Sequence, residues 1–555
     1  MKKSNDKQVS FEEKELVLLR EAVDKAETKL GKKMTQSADI INIIKILEDF
    51  LRKKKLVCYG GTAINNILPV DDQFYNKDVE IPDYDFYSPD AVNDAKELAN
   101  IYAKQNYVDI EVRTAVHVGT FKVFVNFIAI ADITQMDDNV FKVLRKKAIT
   151  KNGILYSHPD YLRLQIYKEL SRPDGDVSRW EKIYKRFILL HKHYPFKPSS
   201  KCAHINFMRD FTGNPELNNT LYEIVKDTLI DEGLVFIGGY ASSLYGRYMP
   251  NNQRKQLQHV PDFDVLSENP KSTARIIKEN LEHEGFKHVK INVKPSVGNG
   301  LIDEHYEVVV NKDTVCFIYT PIGCYSYNTI HINNKVVKVA SIDTMLFFLL
   351  AFIYSGRPYY DHQRILCMAQ YLVSVQANNR LKQTGLLKRF NTVCYGHETT
   401  LTETRAKKAE KYKELKGNRK SKEYEKYFLK YVPPGQKTNK KTNKKTNKKT
   451  NKKTNKKTNK KTTITSSSPS ASFSSPSASS SSPSASSSSP SASSSSPYAS
   501  SSSPYASSSS PYASSSYYDS KSKSKSKSKT RKNKMGKKSK TPRKSLLGKV
   551  LNNIF

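Results

Sequence analysis

Leu56-Val57-Cys58-Tyr59-Gly60-Gly61-Thr62-Ala63, followed by Pro82-Asp83-Tyr84-Asp85-Phe86-Tyr87-Ser88, is the stretch on which the reading of this 555-residue chain turns. A β-prone apolar run ends in a glycine pair, and a segment with alternating carboxylates follows. The constellation occurs a second time as Val235-Phe236-Ile237-Gly238-Gly239-Tyr240-Ala241 and Pro261-Asp262-Phe263-Asp264-Val265-Leu266-Ser267. The glycine pairs stand 178 residues apart, and the step from first glycine to first aspartate is 23 residues in one copy and 24 in the other. Order, residue type and spacing therefore indicate an internal duplication.

Two glycines after a strand allow φ > 0 and let a ligand approach main-chain N–H groups closely, which suits a phosphate at a helix N-terminus. The plain alternative is an ordinary strand-to-helix turn. Asp83 and Asp85, at i and i+2 of a strand, point to one face and can share hard cations through their oxygens. Side by side they repel one another, and the plain alternative for them is a pair of solvated loop aspartates. The glycine pair in front of them favours the cation reading.

A third carboxylate is expected on a neighbouring strand. The next strongly apolar run, Phe121 to Ile133, reads as one strand with Asp132 as its only acid. Asn126 shares the Asp132 face by period-2 counting; Asp132 is the preferred third ligand and Asn126 the alternative. Aligned on its own apolar strand, Val315 to Gly323, the second copy sets Cys316 opposite Asn126 and Ile322 opposite Asp132. It offers no carboxylate in either register, so it is expected to keep the shape and lose catalysis, with Asp262 and Asp264 left to bind a cation or hold a loop.

The duplication continues. Ser157-His158-Pro159-Asp160 leads to Arg172-Pro173, Asp176 and Arg179, and Ser341-Ile342-Asp343 leads to Arg357-Pro358, Asp361 and Arg364. Both intervening segments read as helices from their apolar spacing. Lys168, Arg179, Lys182, Lys185 and Arg186 are placed on a helix with Trp180 and Tyr184 interleaved, an arrangement able to meet a triphosphate or RNA backbone and stack a base. An exposed amphipathic face with a buried Trp is the equal alternative.

A Gly-Gly turn, then Asp-x-Asp, then a third acid on a nearby strand resembles the DNA polymerase β-type nucleotidyltransferase superfamily. The tandem copy and the helical segments resemble, within it, the poly(A) polymerase catalytic subunits of large DNA viruses, the mimivirus type, over residues 36 to 395. One departure is the acidic and polar insert from Asp71 to Glu80 between the glycines and the Asp pair, present at similar length in the second copy. The resemblance implies an α+β fold of two tandem nucleotidyltransferase-like units, each a small mixed sheet followed by a helical subdomain. It divides the chain into N-terminal helices (1–54), a catalytic domain (55–150), a helical nucleotide- or RNA-binding subdomain (151–230), a second, inactive domain (231–338), a C-terminal helical subdomain (339–433) and a disordered tail (434–555). It implies Mg²⁺, or Mn²⁺ in its place, held by Asp83, Asp85 and Asp132, with ATP as substrate. Gly60, Gly61 and Thr62 would contact the triphosphate, together with Lys168, Arg179, Lys182 and Lys185. The partners implied are an RNA 3′ end and a second copy of the chain or a processivity partner. The implied place of action is intracellular, in the host cytoplasm at the viral replication compartment, with packaging in the virion.

The formal charge is +38. Residues 437–555 hold 27 Lys and Arg against one acid, Asp519, so the tail is a salt-sensitive, sequence-blind attractor of polyanions. It consists of Asn-Lys-Lys-Thr repeats, a Ser/Ala tract with prolines every seventh residue and alternating Lys-Ser. Such composition buries too little apolar surface to offset chain entropy. The six cysteines show no Cys-x-x-Cys, and neither zinc ligation nor a disulfide framework is expected. No run of 18 apolar residues suggests a membrane span. Residues 10–30 and 38–53 both read as amphipathic helices, with core packing the expected role of each and self-association the alternative for the first.

The leading expectation is a template-independent RNA 3′-adenylyltransferase with its chemistry in the first unit. The alternatives are another RNA terminal nucleotidyltransferase (uridylyl, CCA-adding or oligoadenylate), or a non-catalytic RNA-binding scaffold with vestigial sites.

Overall fold

The fold is taken from a computed structural model that describes residues 11–436 apart from 197–201, 203, 212–214, 256–258, 299 and 380–381. The tail read from residue 434 onward lies, from residue 437, outside the described residues. Helices α1 (Phe11–Thr35) and α2 (Ala38–Lys54) precede β1 (Val57–Tyr59), α3 (Gly60–Ile67), β2 (Tyr84–Ser88), α4 (Ala91–Lys104), β3 (Glu111–Thr114), β4 (Thr120–Val125) and β5 (Ile128–Gln135). Then come α5 (Asp138–Lys147), β6 (Ile149–Lys151), β7 (Ile154–Tyr156), α6 (Pro159–Leu170) and α7 (Trp180–His193). The second half runs α8 (Pro215–Asp231), β8 (Val235–Ile237), α9 (Gly238–Leu244), β9 (Phe263–Leu266), α10 (Pro270–His283), β10 (Val289–Lys294), β11 (His305–Val310), β12 (Asp313–Tyr319), β13 (Tyr325–Ile332) and β14 (Lys335–Ala340). It closes with α11 (Ile342–Tyr354), α12 (His362–Asn378), β15 (Cys394–Tyr395), α13 (Leu401–Leu415), α14 (Lys422–Phe428) and β16 (Lys430–Tyr431).

The two sheets are copies. The first has the order β16-β3-β4-β5-β2-β1-β7-β6 and the second β10-β11-β12-β9-β8-β14-β13-β15. Seven strands correspond one to one, in the same parallel or antiparallel sense at every pairing. Even the β-bulge recurs, between Val123 and Phe124 in one sheet and Val308 and Val309 in the other. Each sheet adds one strand at the opposite edge. For the first that strand is β16, which brings residues 430–431 back onto β3.

Local sequence explains these elements. In α2, Ile40, Ile43, Leu47, Phe50 and Leu51 are buried at helical spacing, and in β4, Phe121, Val123 and Val125 are buried in alternation. Helices α6 and α11 carry the join between the halves: Tyr161 and Tyr354 meet edge to face, with ring centroids 4.9 Å apart. Arg172, from the Arg-Pro pair after α6, reaches Ile322 O and Tyr325 Oη, both at 3.2 Å.

Four expectations are corrected. The run Phe121 to Ile133 is a hairpin, not one strand: Asn126 and Phe127 form its two-residue loop with φ of 49° and 64°, the geometry that Asn tolerates in a tight hairpin turn. Helix α1 buries only Gly31 and leaves Leu16, Leu18, Leu19 and Leu30 more than 60 % exposed, so it does not enter the core. The basic residues assigned to one helix are divided between α6, which carries Lys168, and the segment from Arg179 into α7. Cys202–Cys367 and Cys324–Cys394 are disulfides. Their partners lie 165 and 70 residues apart, so no local spacing announces them. Only the fold brings the Cα atoms to 5.3 and 5.2 Å.

Candidate functional site

Strands β2 and β5 are parallel neighbours with Asp85 opposite Asp132. Asp83 stands just before β2 on the same face as Asp85. The three carboxylates feel one another. Burial, with repulsion from Asp83 and Asp132 added, pushes the Asp85 carboxyl up to about 8. Asp83 is also raised, by burial and by Asp132. Lys122 is opposite Asp132 across the hairpin, and its Nζ donates to Asp132 Oδ2 at 2.6 Å. Asn126 is in the hairpin loop, six residues and a chain reversal away from Asp132. The third position beside Asp83 and Asp85 therefore belongs to Asp132.

The glycine turn faces this group. Gly60 has φ of 72°, and a side-chain carbon there would lie 2.5 Å from Asp85 Oδ2; any other residue would be both strained and in collision. Thr62 Oγ1 donates to Asp83 O at 2.6 Å and ties the start of α3 to the entry of β2. A side-chain carbon on Gly61 would collide with Tyr75 Oη and come within 2.9 Å of Arg186 Nη1. The insert from Asp71 to Glu80 thus folds over the turn. Asn65 Oδ1 holds it by accepting from the backbone N of Phe74 and Tyr75 at 2.8 and 2.9 Å, while Asp72 is bound by Lys192 and His193.

The expected basic residues fall into two groups. Arg179, Lys182 and Arg186 form a stripe: burial followed by repulsion from Arg186 and Arg179 lowers Lys182, and Arg179 is felt at Asp85. Arg179 Nη1 lies 3.2 Å from Glu169. Lys185 is on the open side of α7, 70 % exposed and paired with Glu181 at 2.6 Å. Lys168 is on α6, where burial and then Arg172 push its ammonium down to about 8. Trp180 and Tyr184 pack towards Phe390, with ring centroids 5.8 and 5.7 Å away, which favours the packing role over a base-stacking one.

The second unit shows what the first has kept. The β9–β12 register sets Phe317 opposite Asp264, so the position of Asp132 is taken by Phe317 and not by Ile322; the bulge and hairpin displace the register assumed from the apolar run. Of the two roles expected for Asp262 and Asp264, binding a cation or holding a loop, Asp262 takes the second: its Oδ2 accepts from the backbone N of Arg209 at 2.7 Å. The Arg209 guanidinium pairs with Asp262 and lies 3.6 Å from Asp264, and Arg364 approaches Asp262 at 3.8 Å. The cavity left is about 10 Å³, room for a single water at most. A guanidinium fills the place a cation would take.

Sequence reasoning missed Lys122, Tyr75 and Arg209. For Lys122 the signal was weak: Asn126 suits the φ > 0 of a hairpin loop, but Phe127 beside it does not mark one, and it is that loop which sets Lys122 across from Asp132. Tyr75 and Arg209 lie outside any spacing and reach their sites only through tertiary packing.

Residues 45–176 match the model of the family described as poly(A) polymerase catalytic subunit. An inferred poly(A) polymerase catalytic subunit of African swine fever virus is 32 % identical over 170 residues, 30 % of this chain and 35 % of that protein. One of Acanthamoeba polyphaga mimivirus is 28 % identical over 262 residues, 45 % of this chain and 43 % of that protein. The chain thus spans less than half the length of these relatives. A crystal structure of the Megavirus polyadenylate synthase superposes with a TM-score of 0.65 at 21 % identity, covering 82 % of this chain and 92 % of the other. The fold is nucleotidyltransferase-like, and the chain resembles the poly(A) polymerase catalytic subunits of large DNA viruses.

Proposed function

We propose that this chain is a template-independent polynucleotide adenylyltransferase that extends RNA 3′ ends from ATP, with its chemistry in the first unit. One observation carries the reading. Asp83, Asp85 and Asp132 converge beside the Gly60-Gly61 turn and a cationic stripe, whereas the duplicate has Phe317 and Arg209 in the matching places. The names of the viral relatives point to the same activity.

The donor set fits a hard divalent ion. It is all oxygen, and Asp83 and Asp85 are raised by burial first and then by repulsion from neighbouring carboxylates, which Lys122 offsets only in part. Asp83, Asp85 and Asp132 would hold Mg²⁺, or Mn²⁺, which when bound lowers the pKa of the attacking hydroxyl and neutralises the triphosphate. The 3′-oxygen of the RNA attacks the α-phosphorus of ATP. The bond to the bridging oxygen breaks, pyrophosphate leaves, and the hydroxyl proton passes to solvent. The turn at Gly60 brings main-chain N–H groups close to the phosphates, and Arg179 and Lys182 add positive charge beside them. The second unit supports the fold and offers surface to RNA. The substrate is viral mRNA within the infected cell.

Full-length protein and an Asp83→Ala, Asp85→Ala variant are incubated with a labelled RNA primer, MgCl₂ and each ribonucleoside triphosphate separately. Extension with ATP by the wild type only supports the proposal. Extension with UTP or CTP alone points to a different terminal transferase, and RNA binding without extension points to the scaffold.

A further inference from the structure

The glycine turn of the first unit is not open. Tyr75 Oη and the Arg186 guanidinium stand against Gly61, where a side-chain carbon would have no room. Arg186 Nη2 donates to Tyr75 Oη at 2.7 Å, and the guanidinium lies over the Phe74 and Tyr75 rings, 5.1 and 5.5 Å from their centroids. Tyr75 is set there by the two backbone bonds to Asn65 Oδ1.

The partner of Arg186 differs in kind from those of Arg179, Lys185 and Lys192. Arg179, Lys185 and Lys192 each face a carboxylate, Glu169 at 3.2 Å, Glu181 at 2.6 Å and Asp72 at 2.6 Å. Arg186 donates to a neutral phenol. Glu80 is near enough to feel it, but burial outweighs the pull of Lys182 and Arg186 and leaves that carboxyl raised. A guanidinium fork matches two phosphate oxygens at once, and a charge-assisted bond is about twice as strong as one to a neutral acceptor. Arg186 is therefore under-used in the state described.

The duplicate gives the contrast. There the space over Gly239 is filled by Phe207 O and Met208 Sδ, and Arg209, one residue on, is committed to Asp262. The Phe207 carbonyl is main chain and does not swing aside for a ligand as a side-chain end does. In the first unit the cover consists of side-chain ends, which can.

We propose that Arg186 binds the terminal phosphates of the incoming nucleoside triphosphate, and that Tyr75 is its stand-in partner, displaced when the triphosphate enters. This assignment rests on reading the first unit as a nucleotide-binding site. Arg186 then separates triphosphates from monophosphates, and Tyr75 opposes binding by holding the guanidinium.

Isothermal titration of the full chain in MgCl₂ without RNA tests this, with ATP, AMP and inorganic tripolyphosphate as probes. Arg186→Gln is expected to weaken ATP and tripolyphosphate by about ten-fold or more and leave AMP unchanged, with Arg186→Lys intermediate. Tyr75→Phe, which keeps the ring and removes the hydroxyl, is expected to tighten ATP and tripolyphosphate and leave AMP unchanged. Unaltered ATP affinity in Arg186→Gln, or equal loss for ATP and AMP, overturns the Arg186 assignment. Unaltered or weaker ATP binding in Tyr75→Phe overturns the stand-in. Thermal unfolding of each variant reports whether it is folded. The result separates from that of primer extension: triphosphate binding that depends on Arg186 in a protein that extends no RNA leaves this inference standing and removes the proposed function, and extension with an unchanged KM for ATP in Arg186→Gln does the reverse.

Discussion

Asp85 shows how much of the candidate site lies in single side chains. Its carboxyl is held at about 8 by burial and by Asp83 and Asp132. A carboxyl raised above its unfolded value of roughly 4 favours the protonated form in the folded chain. Its contribution to stability is thus most favourable at low pH and is lost as pH climbs from about 4 through about 8. The metal-free protein should therefore melt lower at pH 8 than at pH 6, and Asp85→Asn should remove part of that slope. A rise in Tm of about 2 °C or more at pH 8 for the variant, read by scanning fluorimetry with EDTA present, is the expected outcome; an unchanged profile would mean that Asp85 is not the repelled group. Adding MgCl₂ should raise the Tm of the wild type and not of the variant.

At the scale of elements, the hairpin β4–β5 is the device that assembles the site. Its two-residue loop at Asn126-Phe127 sets the register, and the register sets Asp132 against both Asp85 and Lys122. In the duplicate the same hairpin presents Phe317 opposite Asp264, and Arg209 neutralises the remaining acids. Removing that guanidinium would leave two buried carboxylates facing each other, and breaking a buried pair from one side costs about 3–5 kcal/mol. Arg209→Met should show a loss of that size in urea denaturation, and Arg209→Met with Asp262→Asn and Asp264→Asn should recover most of it. A loss below about 1 kcal/mol in the single variant would show the acids to be neutral or solvated.

At the scale of the whole molecule, two copies of one seven-strand sheet are joined through α6 and α11 and tied by long-range links. The Cys202–Cys367 and Cys324–Cys394 bridges close loops with separations of 165 and 70 residues. Loops of this size carry about 4–5 kcal/mol each in the chain-entropy account. Mass spectrometry of a non-reduced digest should recover both linked peptide pairs, and the reduced protein should unfold at lower denaturant. Recovery of all six cysteines as thiols from protein never exposed to reductant would contradict both bridges. Residues 430–431, returning to β3, show that the chain closes on its first sheet after completing the second.

The sequence by itself determined the duplication, the α+β class, the place of the glycine turns and the Asp83–Asp85 pair. Those features lie in residue type and short-range spacing, through the period of two in strands and the conformational freedom of Gly60 and Gly238. It could not settle the choice between Asp132 and Asn126, because a two-residue loop reverses the chain between them and cancels period-2 counting. The same reversal shifted the expected counterpart in the duplicate from Phe317 to Ile322. The disulfides, the Arg209 plug and the Tyr75–Arg186 cover were decided only by tertiary structure, since each joins residues that share no local period. Packing also overruled the amphipathic pattern of α1, which is anchored through Gly31 against Val79 and leaves its leucines exposed.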